Sequence, residues 1–422
     1  MPAEAPGARA SAALVVTGAA QVLTCAADAP DLVGRIVNGV VAIAGGRILA
    51  AGTAAEVETA VDTASATVVD AVGGIVVPGF VDCHTHLVFG GSRVAEYTAR
   101  VQGESAASIK ARGIPVGIAA TARMLRSTSS EELVEQACER LRHMLACGTT
   151  TVEAKSGYGL STGQELRMLE VNASLARLQP VAIVSTLLGA HEFPQDRSRD
   201  DYLRDIVEEM IPEAARRGLA EFNDVYCDDG YYTVKESRRV LEAGIRHGLR
   251  AKMHTDAYSH IGGTALAADL HAVSADHLNY ADDEDLARLR EAGVVGVVMP
   301  ALDFAVAHVK PVPARRMLDL GLEVALATDM CPGCWVESMS FVIQLACRQY
   351  GFSPAQALRA ATLGGARALA KGDRVGSLEP GKQADLAVFS VPSFEDLAYR
   401  LGRGRARLVI KAGVVVHTDT GA

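Results

Sequence analysis

The chain has 422 residues, of which 49% are hydrophobic and 22% charged, and this ordinary globular composition excludes a disordered or fibrous protein. At roughly 150 residues per domain, such a length predicts about three domains, or one large barrel with a smaller companion. The 41 basic against 50 acidic side chains give a formal net charge of −9. This balance argues against nucleic acid or an anionic membrane as a partner.

The compartment is indicated by the apolar stretches, the first residues and the cysteines. Polar residues interrupt every apolar stretch before the roughly 20 residues needed to cross a bilayer, so the sequence predicts no membrane span. The chain starts Met-Pro-Ala-Glu, with an acid where a secretory signal would be basic. Eight cysteines without regular spacing indicate reduced thiols. We therefore expect a cytoplasmic protein.

Short β-type runs separated by turns occupy both ends of the chain. Near the start they lie at residues 13–17, 40–44, 47–51 and 67–70, with Gly45 and Gly46 as a two-residue hairpin turn. Near the end they lie at residues 385–389 and 408–417. Because chain termini often lie close together, we expect residues 11–74 and 372–422 to form one small β-sandwich domain.

The interior, residues 75–371, alternates buried-type runs with longer segments of helical spacing. There are eight such runs, at residues 75–84, 149–155, 181–191, 222–227, 249–254, 272–277, 294–300 and 323–329. Eight β units with intervening helices predict a (β/α)8 barrel of the TIM type, with all strands parallel. A doubly wound open sheet is the alternative, and the lack of Gly-x-Gly-x-x-Gly after the first run disfavours it.

Histidine and aspartate side chains stand at the carboxyl ends of five of these predicted strands. Five of the 11 histidines in the chain lie there, so chance placement explains the pattern poorly. In a barrel these strand ends face one shared mouth, where active sites are built. The side chains concerned are His84, His86, His191, His254, His277 and Asp329.

A metal site follows from this set. His84 and His86 have the i, i+2 spacing at which an extended strand directs both imidazoles to one face. With His254 and Asp329 they would form a mixed nitrogen and oxygen site that suits zinc or iron. Such an ion lowers the pKa of bound water toward about 7. The alternative is a solvent-facing polar strand end, which explains most isolated His-x-His pairs.

Two motifs resemble the amidohydrolase superfamily. Its metal signature is similar to Val-Pro-Gly-Phe-Val-Asp-Cys-His-Thr-His-Leu at residues 77–87, and its return into a β-sandwich is similar to Gly-Ser-Leu-Glu-Pro-Gly-Lys-Gln-Ala-Asp-Leu-Ala-Val at 376–388. Within the superfamily the chain most resembles the imidazolonepropionases, through residues 86–93, 152–160, 188–191, 274–278 and 327–333. The resemblance implies hydrolysis of a C–N bond in a small cyclic amide: 4-imidazolone-5-propanoate and water would give N-formimidoyl-L-glutamate, or a related ring would open.

The resemblance also implies a role for each matching residue. One divalent ion, zinc or iron, would be held by His84, His86, His254 and Asp329. Asp329 would also take a proton from the attacking water, and His277 would polarise the substrate carbonyl or move protons. A homodimer is implied as well.

The substrate itself would be held by residues outside the ligand set, namely Arg93, Tyr158 and His191. The planar guanidinium of Arg93 is a natural partner for a carboxylate. Ordinary loop anchoring is the alternative for Arg93 and Tyr158.

The chain departs from the family pattern at substrate-facing positions. Where imidazolonepropionases carry a glutamate that contacts substrate and moves protons, this chain has Ala257. Losing a general acid or base typically lowers the rate about 10²–10⁴-fold. Tyr258 or His260 could supply a replacement proton carrier. A deaminase or hydrolase acting on a different small heterocycle is therefore the alternative function, and a non-catalytic binding protein is a further rival.

The second departure follows the predicted metal aspartate. The family usually has Asn-Pro-Gly there, and this chain has Cys331, Pro332, Gly333 and Cys334. We expect Cys331, Gly333 and Cys334 to line the substrate pocket. A redox pair or a thiolate metal ligand is the alternative for the two cysteines, although such pairs often act as small apolar side chains.

Overall fold

The computed structural model describes residues 9–419. Within them the strands β1–β20 are Ala10–Ser11, Leu14–Thr17, Gln21–Leu23, Arg35–Val37, Val40–Ala44, Arg47–Gly52, Val61–Asp62, Thr67–Asp70, Ile75–Pro78, Phe80–Asp82, Thr149–Lys155, Ala182–Ala190, Phe222–Cys227, Arg250–Thr255, Ser274–His277, Val295–Val298, Val324–Leu326, Leu386–Phe389, Leu408–Lys411 and Val414–Thr418.

The same residues contain the α-helices α1–α17, which are Ala54–Ala60, Val94–Val101, Ala106–Ala111, Gly117–Ser127, Ser130–Ala146, Thr162–Leu178, Arg199–Asp205, Ile211–Arg216, Val234–Arg246, Gly263–Asp269, Asp283–Ala292, Pro300–Ala305, Ala314–Asp319, Met339–Gln349, Pro354–Arg359, Gly365–Ala368 and Phe394–Tyr399. Two π-helical turns, Ile206–Met210 and Ala360–Gly364, interrupt the helical segments. None of the helices within residues 9–419 is long and apolar enough to cross a membrane.

Eight parallel strands form the barrel. They are β10 to β17, they neighbour one another in chain order, and helices connect them. The first and last strands approach each other just beyond their ends, where the amide of Asp329 donates to the carbonyl of His84 (3.1 Å) and the amide of His86 to that of Met330 (2.9 Å). The predicted (β/α)8 architecture is confirmed.

The helices cover the barrel with apolar faces, as α5 illustrates. A capping box between Ser129 and Glu132 fixes its first turn. Farther along, Leu133 and Leu141 are fully buried in the core that the helices share with the strands. Apolar spacing of this kind predicts which face of the helix meets the sheet.

Strands from both termini form a separate β unit beside the barrel. Its sheets have the orders β20-β19-β18-β9-β3-β4 and β6-β5-β2-β8, and apolar side chains of both sheets share one core. The turn between β5 and β6 is Gly45 and Gly46, both with positive φ (56° and 74°), which suits a two-residue hairpin. The prediction that the two chain ends share a β unit is therefore confirmed.

The first barrel strand is shorter than predicted, which corrects the start of the expected barrel segment. Ile75–Pro78 (β9) pairs with β18 and β3 in the terminal sheet, and the barrel strand begins at Phe80. A Cβ at Gly79 would lie 2.3 Å from Oγ1 of Thr150, so glycine lets the chain pass closely here. The continuous apolar run gave no signal for this change of sheet. At the other end, the last three residues of the expected 372–422 segment lie outside the described range.

Candidate metal centre

The four predicted metal ligands come from three separate parts of the barrel. His84 and His86 follow β10, where Thr85 between them bridges in parallel to Met330 and keeps the chain extended. His254 lies in β14 and Asp329 follows β17. The φ angle of Asp329 is +48°, a left-handed conformation uncommon for non-glycine residues.

Candidate ligand atoms of His84, His86 and Asp329 lie within 4.8 Å of one another, and His254 lies beside His86. Oδ1 of Asp329 lies 3.8 Å from Nε2 of His84 and 3.7 Å from Nε2 of His86. Nε2 of His86 in turn lies 3.4 Å from Nε2 of His254. All four side chains are buried, His84 completely.

Two of these atoms are left without partners. Nε2 of His84 and Oδ1 of Asp329 make no hydrogen bond to any part of residues 9–419. A buried acceptor left unsatisfied costs about 1–3 kcal/mol. Three imidazole nitrogens and a carboxylate oxygen are also a donor set that divalent zinc or iron accepts. The arrangement therefore fits a divalent cation.

Two aspartates approach the Nδ1 atoms of two of the histidines. Nδ1 of His84 lies 2.6 Å from Oδ2 of Asp276, and Nδ1 of His254 lies 3.0 Å from Oδ2 of Asp224. At His84 this hydrogen bond places the ring hydrogen on Nδ1 and leaves the lone pair on Nε2, whereas Nδ1 of His254 is close to Asp224 without a hydrogen bond to residues 9–419. Burial also lowers the pKa of His84 and of His86 well below the usual value, so both rings are neutral.

His277 and His191 flank the four ligands. The ring of His277, whose φ is +81°, lies 5.2 Å from that of His254. The ring of His191 stacks on His86 at 4.9 Å, and its Nδ1 lies 3.1 Å from the carbonyl oxygen of Gly157. Burial lowers the pKa of His277 well below its usual value and that of His191 to about 3. Both are therefore neutral at physiological pH.

The predicted substrate residues Tyr158 and Arg93 lie on one side of this group. The ring of Tyr158 is 5.6 Å from that of His86. Arg93 donates from Nε and Nη2 to Glu96, at 2.7 and 2.8 Å. This pairing occupies one edge of the guanidinium and leaves Nη1 directed at Gly333, where a Cβ would lie only 3.5 Å away.

The Cys-Pro-Gly-Cys segment forms a tight hairpin beside the site. The backbones of Cys331 and Cys334 exchange hydrogen bonds of 3.0 and 3.1 Å. Sγ of Cys334 contacts the carbonyl of Thr328 (3.6 Å), so that side chain serves the loop. Burial raises the pKa of both thiols, both are free, and neither belongs to a potential metal-binding group among residues 9–419. The structure therefore gives no support to a thiolate ligand.

The two candidate proton carriers after Ala257, Tyr258 and His260, lie in different surroundings. Nε2 of His260 lies 2.8 Å from Oδ2 of Asp285, so this imidazole is engaged elsewhere. The half-exposed ring of Tyr258 lies 4.9 Å from that of His308. Nε2 of His308 lies 2.9 Å from the carbonyl oxygen of Ala257 and holds this turn in place.

Sequence reasoning missed the charged residues beneath the ligands. They include Lys252 and Glu153, which are completely buried. The available signal was alternation along the strand, because Lys252 precedes His254 by two residues and so shares its face. Tyr226 was also missed, and its ring lies 5.6 Å from that of His254.

Comparisons with known proteins agree with this geometry. The model of the Amidohydrolase family matches residues 75–416. The imidazolonepropionase of Geobacillus kaustophilus is 46% identical over 391 residues, which cover 92% of each chain. That of Halobacterium salinarum is 41% identical over 414 residues, covering 97% of this chain and 99% of the other.

A solved structure supports the fold. An adenosine deaminase from Xanthomonas campestris with bound zinc superposes with a TM-score of 0.71 at 20% identity, covering 97% of this chain and 94% of that one. The likeness at this identity concerns the architecture alone. The family match and the identities to the two relatives go further: the chain belongs to the amidohydrolase family, among relatives named imidazolonepropionase.

Proposed function

We propose that this protein is a metal-dependent hydrolase that opens the ring of 4-imidazolone-5-propanoate to give N-formimidoyl-L-glutamate. The observation that carries the proposal is the convergence of His84, His86 and Asp329 with His254 in a buried barrel mouth. The 46% identity to a protein named imidazolonepropionase supports the substrate.

The four convergent residues would hold one divalent ion, zinc or iron. When bound, such an ion supplies Lewis acidity and makes water acidic enough to ionise near neutral pH. The carboxylate of Asp329, whose pKa burial raises to about 6, would accept the proton of the attacking water. Its position in the mouth, between β17 and the paired histidines, suits this role.

The surrounding residues would bind and polarise the substrate. Neutral His277 would donate an N–H to the carbonyl oxygen, where negative charge develops. Because Nδ1 of His191 faces the carbonyl of Gly157, its Nε2 is left to accept a hydrogen bond from the imidazolone ring. Nη1 of Arg93 would bind the propanoate carboxylate, and Tyr158 would close that side of the pocket.

We extend the proposal to the cellular location, oligomeric state and partners of the enzyme. It would act in the cytoplasm as a homodimer on a small molecule, without a nucleic-acid or membrane partner. The family resemblance supports the dimer. The eight cysteines without regular spacing support the cytoplasm, and the net charge of −9 argues against a nucleic-acid or membrane partner. Sedimentation of the purified protein measures the dimer directly, and a monomer at micromolar concentration would contradict it.

Metal removal tests the main proposal. Hydrolysis is followed by the fall in imidazolone absorbance. Protein stripped of metal with a chelator should be inactive, and about one equivalent of Zn²⁺ or Fe²⁺ should restore its activity. Mass spectrometry should identify the formimidoyl product. His84→Ala should abolish turnover, and His247→Ala, at an exposed histidine, serves as the matched control. Full turnover by stripped protein would refute the metal-dependent reaction.

Ala257 supports a second candidate, a deaminase or hydrolase acting on a different small heterocycle. If the substrate has changed, Ala257→Glu should raise imidazolone hydrolysis by about 10²–10⁴-fold, because it restores a proton carrier. If the wild-type protein already turns over imidazolone at a rate that Ala257→Glu leaves unchanged, this second candidate is wrong. Ammonia release from another heterocycle would distinguish a deaminase from a ring-opening hydrolase.

A further inference from the structure

A group of charged side chains lies beneath the histidines inside the barrel. It consists of two lysines and three carboxylates, all with side chains that are 0% exposed: Lys155, Lys252, Glu153, Asp224 and Asp276. We call these five residues the lysine–carboxylate cluster. Burying unpaired charges is costly, and replacing buried ion pairs by apolar side chains often leaves stability unchanged. Stability alone is therefore a weak explanation for the cluster.

Lys252 connects the backbone next to His84 with the strand that carries His254. Its Nζ donates to the carbonyl oxygen of Cys83 (2.9 Å) and to Oε2 of Glu153 (2.7 Å). Cys83 immediately precedes His84, and Lys252 stands two residues before His254 on β14. One ammonium group thus fixes the start of the His84 segment relative to the strand that carries His254.

Lys155 lies between the two aspartates that face the histidines. Its Nζ donates to Oδ2 of Asp224 at 2.6 Å and lies 3.6 Å from Oδ2 of Asp276. The same oxygen atoms approach Nδ1 of His254 at 3.0 Å and Nδ1 of His84 at 2.6 Å. The lysine therefore holds Asp224 by a hydrogen bond and lies close to the oxygen of Asp276 that accepts from His84.

Glu153 joins the two lysines into one unit. Its Oε1 accepts from Lys155 (3.1 Å) and from the hydroxyl of Thr186 (2.5 Å), and its Oε2 accepts from Lys252. Both oxygens of this carboxylate are thus satisfied, and neither lysine can move without breaking a bond to it. Such a closed network holds side chains in a single arrangement.

We propose that Lys155 and Lys252 are positioning residues for the metal ion: they hold Asp224 and Asp276 where these carboxylates turn Nε2 of His254 and His84 toward the ion. The inference rests on the metal site of the proposed function. Loss of partners behind histidine ligands typically lowers metal affinity about 10–100-fold. A merely structural cluster would alter the unfolding free energy and leave the affinity of the folded protein unchanged.

The chain supplies a matched control in the terminal β unit. Nζ of Lys411 lies 2.7 Å from Oδ2 of Asp385, and both side chains are buried. Lys411→Met therefore removes a buried ammonium group from a carboxylate, as Lys155→Met and Lys252→Met do. It does so in β19, which belongs to a different sheet from the candidate ligands.

The test compares metal binding by these three variants with the wild type. Metal-free protein is titrated with Zn²⁺ and Co²⁺ against a chromophoric chelator, the visible spectrum of the Co²⁺ form is recorded, and urea unfolding is followed separately. Lys155→Met and Lys252→Met should bind both ions about 10–100-fold more weakly and shift the Co²⁺ bands. Lys411→Met should leave affinity and spectrum unchanged, even if it unfolds in less urea.

Several outcomes would overturn the inference. Wild-type affinity and spectrum in folded Lys155→Met and Lys252→Met would do so, as would equal weakening by Lys411→Met. If neither cluster variant folds, Asp276→Asn decides, because it keeps the shape of the side chain and removes the carboxylate charge beside Nδ1 of His84; unchanged Co²⁺ affinity and bands would then reject the proposal. Absence of metal binding by the wild type would instead refute the metal site, and so the proposed function, directly.

Discussion

At the scale of single residues, Glu96 fixes the orientation of the Arg93 guanidinium. This buried carboxylate accepts from Nε and Nη2 of Arg93, from Arg100 (2.8 Å) and from the amide of Gly117 (3.2 Å). The guanidinium is consequently held by Nε and Nη2, and Nη1 has no hydrogen bond to the described part of the chain, residues 9–419. An arginine fixed in this way loses less conformational entropy when it binds a substrate carboxylate.

We expect Glu96→Gln to weaken carboxylate binding. The amide accepts only one of the paired bonds, so Arg93 loses its fixed orientation, and KM for 4-imidazolone-5-propanoate should rise about 10-fold, with a smaller change in kcat. Steady-state kinetics measure both constants. Glu104→Gln, which alters a nearby surface pair with Arg112, is the control. An unchanged KM would show that Arg93 does not bind the substrate.

Single residues also show which features of the site the sequence could reveal. His84 and His86 could be predicted because a two-residue spacing on an extended strand is local information. For Lys252, alternation along the strand indicated its face, but its bond to Glu153, 99 residues away in the chain, could not be predicted. A lysine is usually exposed, and only the tertiary contacts identify a buried one.

At the scale of elements, one side chain of α6 shapes the loop that carries Tyr158. Glu165, which is fully buried, accepts from the amides of Gly157 (2.7 Å), Gly159 (2.7 Å) and Leu160 (2.9 Å). Because three backbone groups converge on one carboxylate, the loop after β11 has little freedom. The helix thus fixes the backbone on both sides of Tyr158.

Glu165→Gln should loosen this loop. A neutral amide accepts fewer and weaker hydrogen bonds than a carboxylate, and we expect about 1–3 kcal/mol lower unfolding free energy. Hydrogen exchange should accelerate at residues 156–160, and kcat/KM should fall. Glu170→Gln, on the same helix with a surface partner in Arg217, is the control. Exchange rates equal to the wild type in this loop would contradict the prediction.

Elements differed in how well the sequence predicted them. The strands β11 and β13 have the predicted bounds, although both carry polar residues: Thr-Thr-Thr-Val-Glu-Ala-Lys in β11 and Phe-Asn-Asp-Val-Tyr-Cys in β13. The helices α2–α4 between β10 and β11 were not predicted. Two of them are only eight and six residues long, too short for a clear 3.6-residue period.

At the scale of the whole molecule, Phe389 joins the terminal β unit to the barrel. Its ring lies 5.6 Å from that of Phe80 on β10, and it is also packed so closely against Gly148 that a Cβ there would lie 2.8 Å from it. Phe389 itself belongs to β18, which pairs with β9. The two parts of the molecule therefore share one apolar contact region.

We expect Phe389→Ala to destabilise both parts together, by about 3–5 kcal/mol, because it leaves a cavity at their junction. Trp335, the single tryptophan, directly follows the Cys-Pro-Gly-Cys hairpin and reports that region by fluorescence, and circular dichroism reports the whole chain. Both signals should shift to the same lower temperature. Val68→Ala, at an exposed position of β8, is the control. Separate transitions for the two signals would show that the parts unfold independently.

The global arrangement was predictable in outline from the sequence. Eight alternating units indicated a barrel, and β-type runs at both ends indicated a shared domain. The transfer of Ile75–Pro78 into the terminal sheet could not be predicted, because pairing with Leu386–Phe389 joins segments about 300 residues apart. Such long-range register is decided by tertiary packing rather than by local pattern.

The contacts that bring the first and last barrel strands together have a thermodynamic consequence. The amides of His86 and Asp329 both take part in that closure, and both residues are candidate metal ligands. Any cation that binds them therefore links the segments that follow the first and last strands of the barrel. Metal binding and the unfolding free energy are therefore coupled. Above the dissociation constant, the unfolding free energy rises with the logarithm of the free ion concentration.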